Sequence, residues 1–82
     1  MIKSVVEAVF KNSELYPEKL CIVVEEHEIT YYKFKHMIIN TAKKLKKLGV
    51  NKNEKVLIVG IPKLSYIVTY FAIHLCGAIA VP

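Results

Sequence analysis

The side chains able to do chemistry in this 82-residue chain are few and scattered. Histidine stands at His27, His36 and His74, cysteine at Cys21 and Cys76, and three carboxylates cluster in "EEHE", residues 25 to 28. A histidine becomes a general base or a metal ligand when a carboxylate or a second ligand stands within reach. None of the three has such a neighbour at a useful spacing. His27 falls in a turn, His36 on a charged helix and His74 on a buried one, so each reads as structural. His74 and Cys76 are two residues apart, which on a helix points them to different faces and rules them out as a metal pair.

The carboxylates of "EEHE" could form an acid/base pair only if one of them were desolvated. Nothing nearby would do that, and the cluster reads as a solvated hairpin tip. The run "KKLKK", residues 43 to 47, could meet anionic lipid or RNA, but it also fits the outer face of an amphipathic helix whose inner face is already assigned, and it reads as a solvated face. No glycine-rich phosphate loop, nucleophile elbow or zinc-binding helix pattern occurs, and Gly49, Gly60 and Gly77 are each isolated at the end of an element. From the residues alone, no catalytic, cofactor-binding or metal-binding position is assigned.

Composition narrows the class further. With 54% hydrophobic and 23% charged residues the chain is too apolar for intrinsic disorder. Its net charge of +5 is carried entirely by lysine, with no arginine to make the bidentate contacts of a specific nucleic-acid reader, so no nucleic-acid partner is expected. The cysteines lack CxxC spacing and read as two buried, reduced thiols. The N-terminal "MIKSVVEAVFKNSE" has no uninterrupted apolar run of secretory type, and a cytoplasmic location is expected. Residues 64 to 82 carry no formal charge and are about long enough to cross a bilayer. Ser65, Thr69, His74, two tyrosines, Gly77 and Pro82 argue against a membrane span.

The elements that would carry these residues follow from periodicity. "SVVEAVFKNSEL", residues 4 to 15, places Val5, Val6, Val9 and Phe10 at helical spacing, with Ser4 as its cap and Pro17 beyond its end. "KLCIVVEEHEITYY" predicts a strand, a turn over "EEH" and a second strand, although no Asn-Gly or Asp-Gly fixes the turn type. Thr30 caps a second helix with Phe34, Ile38, Ala42 and Leu45 on one stripe and Gly49 as its stop. "KVLIVG", residues 55 to 60, predicts a strand covered on both faces and closed by Pro62. "LSYIVTYFAIHLC" is apolar nearly all round and predicts a helix buried between layers, stopped by Gly77 before a last strand at 79 to 82. Strand, helix and strand in this order imply a right-handed parallel crossover and an α/β fold.

Several phrases then stand in an informative order: Pro17-Glu18-Lys19, Ile29-Thr30-Tyr31, Leu48-Gly49-Val50, Lys55-Val56 and Gly77-Ala78-Ile79-Ala80-Val81-Pro82. From about Val5 to Pro82 the chain resembles the opening segment of the adenylate-forming superfamily, which includes acyl-CoA synthetases, peptide-synthetase adenylation domains and luciferases. "YFAI" ahead of "GAIAVP" is more similar to acyl-CoA ligases than to adenylation domains. The chain departs from the family in carrying Asn53-Glu54 where Gly-Asp is frequent, and Ile61-Pro62-Lys63 where many members have an asparagine.

The resemblance implies that these residues are an N-terminal fragment of a large AMP-binding domain, with the remainder of that domain as partner. It implies ATP, magnesium and coenzyme A or a carrier-protein thiol for the full-length enzyme, which would form an acyl-adenylate and then a thioester. The family's phosphate loop, ribose-binding aspartate and catalytic lysine match nothing here, so the fragment by itself is expected to be inactive and to self-associate through uncovered sheet and apolar helix. Two other readings stand beside it: a stand-alone α/β protein that binds a partner through its sheet edge, and a small protein held at a membrane by residues 64 to 82.

Overall fold

A computed structural model of the chain describes residues 2–24, 26–58 and 63–81. The elements run α1 (Ile2–Leu15), β1 (Leu20–Val24), β2 (His27–Thr30), α2 (Tyr31–Lys47), β3 (Lys55–Leu57), α3 (Leu64–Leu75) and β4 (Ile79–Val81). This is the expected α/β order. The strands form two separate pairs, β1 antiparallel to β2 and β3 parallel to β4.

Helix α1 begins at Ile2, so Ser4 lies inside the first turn and is not the expected cap. Ile2 and Lys3 carry nothing that breaks a helix, and the backbone simply continues back through them. At the other end the helix stops at Leu15, two residues ahead of Pro17, as proline's sterics require. In the hairpin, Val24 pairs with His27, which makes His27 the first residue of β2 and not part of the turn. The loop is thereby only two residues long. Glu26 sits in it at φ 66°, a left-handed conformation that glycine or asparagine would occupy more easily. A bulge between Leu20 and Ile22 shifts the register at Cys21 and keeps Ile22 opposite the buried Ile29.

The core forms where α1, α2, α3 and the hairpin meet. Val9, Ile29, Phe34, Ile38, Ala42, Val68 and Ala72 make one buried cluster, and Leu45 packs against it half-buried. The stripe on α2 is as its spacing predicts, because residues four apart share a helix face. Phe34 meets Phe71 of α3 edge to face, with ring centroids 5.4 Å apart. That geometry sets the positive ring edge against the negative face.

Both glycine stops close the same motif. After α2, the Gly49 amide donates to the Lys46 carbonyl at 3.0 Å and the Val50 amide to the Leu45 carbonyl at 3.1 Å. After α3, Gly77 donates to His74 at 3.0 Å and Ala78 to Ile73 at 3.1 Å. These are paired Schellman bonds, and they need a left-handed residue at Gly49 (φ 95°) and Gly77 (φ 77°).

The loop into β3 explains one departure from the resembled family. Asn51 to Glu54 form a turn in which the Glu54 amide donates to the Asn51 carbonyl at 3.2 Å, and its third residue, Asn53, has φ 68°. A positive φ there calls for glycine or, next best, asparagine. The Glu54 carboxylate accepts the Asn51 amide at 2.6 Å, a bond that an aspartate at the same place could also make. Asn53-Glu54 thus keeps the geometry with different side chains.

The parallel pair is shorter and barer than expected. β3 spans only Lys55–Leu57, with one further bond from the Ile58 amide to the Val81 carbonyl, and Val59, Gly60, Pro62 and Pro82 lie outside the described residues. The expectation of a strand covered on both faces fails here. Val56 and Ala80 are half-buried, while Leu57, Ile79 and Val81 are exposed on the other face, Leu57 by 68%. Helix α3 is fully buried through Val68, Ala72 and Ile73 and half-buried over most of its remaining surface, with Ser65 and Leu75 exposed.

Candidate functional site

The three histidines occupy three different environments. His36 is exposed on α2 with its ring 4.4 Å from that of Tyr32. His74 is half-buried on α3, edge-on to Tyr70 at 5.1 Å. Its Nε2 is buried without a hydrogen-bond partner, and burial lowers its pKa below the usual histidine value, because desolvation penalises the charged ring. An imidazole held neutral in this way suits a packed position. It lines a cavity of about 360 Å³ with Val6, Glu7, Phe10 and Leu75.

His27 contributes to a wider, more polar cleft of about 550 Å³, where β2 and α2 face the start of α3. Asn40 and Thr41 line one wall, and Ser65 and Thr69 the other. The Thr69 hydroxyl is already engaged, donating to the Ser65 carbonyl at 2.7 Å. Sequence reading did not find this cleft. Its only signal was the Ser65/Thr69 pair, four apart on an otherwise apolar helix, and nothing in the sequence linked that pair to His27.

The thiols stay apart and free. Cys76 Sγ donates to the Ala42 carbonyl at 3.6 Å, and Cys21 sits at the hairpin bulge with its pKa raised by burial. Both are half-buried rather than fully buried, since each lies at the margin of the core. Glu26 and Glu28 are exposed, as a solvated hairpin would have them, and Glu25 lies outside the described residues.

The start of α2 leaves no amide open to nucleotide phosphates. The amide donors at the start of α2, which could otherwise cradle an anion, are all engaged within the chain. Tyr31 donates to the Lys19 carbonyl at 3.0 Å, Tyr32 to that of Pro17 at 3.1 Å, and Lys33 to the Thr30 hydroxyl at 3.2 Å. No group of three or more histidine, cysteine or acidic side chains able to hold a metal ion occurs among the described residues. No helix among them is long and apolar enough to cross a membrane. The described residues include a capped helix, two glycine stops and a short parallel sheet.

The family of AMP-binding enzymes matches residues 9–82. Among solved structures, the N-terminal subdomain of Klebsiella oxytoca NpsA, in complex with 3-hydroxybenzoyl-AMSN, superposes with a TM-score of 0.88 at 20% identity, over 95% of this chain and 20% of that one. Coronafacic acid ligase from Pectobacterium brasiliense gives 0.86 at 25% identity, over 94% and 15%. A fatty acid AMP ligase from Legionella pneumophila gives 0.84 at 25% identity, over 94% and 14%. The chain thus spans a fifth or less of the length of these three proteins. With its elements in the family's order and its sequence matched from Val9 to the last residue, this chain belongs to the AMP-binding enzyme family.

Proposed function

We propose that the chain serves as the opening segment of an ATP-dependent ligase of the acyl-CoA synthetase type, an enzyme that activates a carboxylic acid as its acyl-adenylate and passes the acyl group to a thiol. The observation that carries this reading is the family match over residues 9–82, supported by likeness to acid ligases at 25% identity. The segment's part is to frame the domain: α2 and α3 hold the hairpin on one side and present the β3–β4 pair on the other. ATP, magnesium and coenzyme A, or a carrier-protein thiol, belong to the whole enzyme.

In this reading the 82 residues alone do not adenylate. The remainder of the domain is the natural cover for the exposed Leu57, Ile79 and Val81, since parallel sheets are stable when both faces are packed. Without that cover the chain self-associates through this face. The location is cytoplasmic, where the family's nucleotide and thiol substrates would be supplied.

Coding DNA beyond the codon for Pro82 tests the reading. A region rich in serine, threonine and glycine within about one further domain's length supports it. Its absence in every frame refutes it and leaves a stand-alone protein whose exposed sheet binds a partner.

A further inference from the structure

Every charged residue of α2 is a lysine: Lys33, Lys35, Lys43, Lys44, Lys46 and Lys47. No carboxylate on the helix offsets them, and like charges three and four apart repel one another. The helix dipole accounts for cations in the last turn, where Lys44, Lys46 and Lys47 lie. It does not account for Lys33 near the N-terminus, where it disfavours cations, nor for the residue that follows the lysine cluster. Leu48, immediately after Lys47, is 81% exposed, more than any other large apolar side chain among the described residues. It stands four residues after Lys44, on the same side of the helix. An exposed leucine set among exposed lysines is complementary to one kind of surface: anionic headgroups with hydrocarbon beneath them.

We propose that the C-terminal corner of α2, formed by Lys43, Lys44, Lys46, Lys47 and Leu48, docks peripherally on an anionic lipid surface. The lysines meet the headgroups and Leu48 enters the interface. The apolar stripe of α2 remains in the core, so the helix rests against the membrane without inserting. RNA fits less well. The patch has no arginine, and its one apolar side chain, Leu48, is aliphatic, which gives bases nothing to stack on.

Vesicle co-sedimentation of the full chain provides the test, with phosphatidylcholine vesicles containing about one-third phosphatidylserine against pure phosphatidylcholine. Binding is expected to the anionic vesicles only, and to weaken strongly between about 0.05 M and about 0.5 M salt. Each lysine near such a surface contributes about fivefold, so the triple variant Lys44→Gln, Lys46→Gln, Lys47→Gln should lose roughly a hundredfold. Leu48→Ser should weaken binding several-fold while keeping its salt dependence. A triple variant with the same loss of charge elsewhere (Lys11→Gln, Lys19→Gln, Lys55→Gln) should lose far less.

Equal losses in the two triple variants would reduce the effect to net charge and overturn the proposal. So would equal binding to neutral vesicles, or binding to poly(U) without binding to anionic vesicles. Circular dichroism of each variant separates loss of the patch from loss of fold. The outcome is independent of whether the chain belongs to a working ligase.

Discussion

Replacing Gly49 by alanine isolates the conformational cost of a left-handed stop, because a Cβ added there would meet nothing within 4 Å. At an unstrained position Gly→Ala stabilises by about 0.4–1 kcal/mol, by reducing the freedom of the unfolded chain. At φ 95° the alanine must instead adopt the left-handed region, which costs an L-residue about 1–2 kcal/mol. The two effects oppose each other, and the strain is the larger, leaving Gly49→Ala destabilised by about 1 kcal/mol. Gly77→Ala carries the same strain and also sets its Cβ 3.1 Å from Lys52 Cγ. That methylene belongs to an exposed, flexible side chain and can yield by a few tenths of an ångström, so the added loss stays below about 1 kcal/mol. Urea unfolding followed by far-UV circular dichroism reads both. With a slope of about 1–3 kcal/mol per molar for a small protein, Gly49→Ala lowers the midpoint by about 0.3–1 M, and Gly77→Ala lowers it at least as far. A midpoint raised by Gly49→Ala, or a milder effect at Gly77 than at Gly49, would refute the assignment of these glycines as left-handed stops.

Three other outcomes follow from the same geometry. Thr30→Ala removes the acceptor of the Lys33 amide and should cost about 1 kcal/mol in the same urea assay, with Thr30→Ser retaining most of the stability. Ile38→Ala, at a fully buried position, should cost about 2–5 kcal/mol. For a chain of this length, whose total stability is about 4–12 kcal/mol, that loss would show as partial unfolding in hydrogen exchange at 25 °C. The lowered pKa of His74 makes folding favour the neutral ring, so its contribution is present above the ordinary histidine value near pH 6.5 and declines as pH falls below it. Stability measured from pH 8 to pH 5 should fall on that account, and His74→Phe should flatten the fall; an unchanged profile in His74→Phe would remove His74 as its source.

Much of the fold was legible because it rests on local signals. The stripe Phe34, Ile38, Ala42 announces a helix face, Thr30 its cap and Gly49 its stop, and each acts within a few residues of itself. What escaped depends on partners distant in the chain or on positions without a residue signature. Ser4 resembled a cap, yet Ile2 and Lys3 contain nothing that would halt the helix ahead of it. The sequence "EEH" reads as a turn that includes His27, because Glu26 takes a positive φ without the glycine or asparagine that usually marks one. The bulge at Cys21 is enforced by the need to keep Ile22 and Ile29 on one face, a constraint between strands. The β3 run was read as covered on both faces from its composition alone. The observed strand has a cover on one face only, and what packs against Leu57 is not a property of its own sequence. The cleft joining His27 to Ser65 and Thr69 is tertiary in the same sense.

In the function proposed above, these residues frame an adenylate-forming domain and leave its chemistry to the remainder. Acid-dependent exchange of labelled pyrophosphate into ATP tests it most directly, with the purified 82 residues, magnesium and a panel of aliphatic and aromatic carboxylic acids. No exchange above a protein-free control is expected, while a full-length ligase of the family assayed alongside exchanges readily. Exchange that depends on both the acid and the 82-residue chain would contradict it.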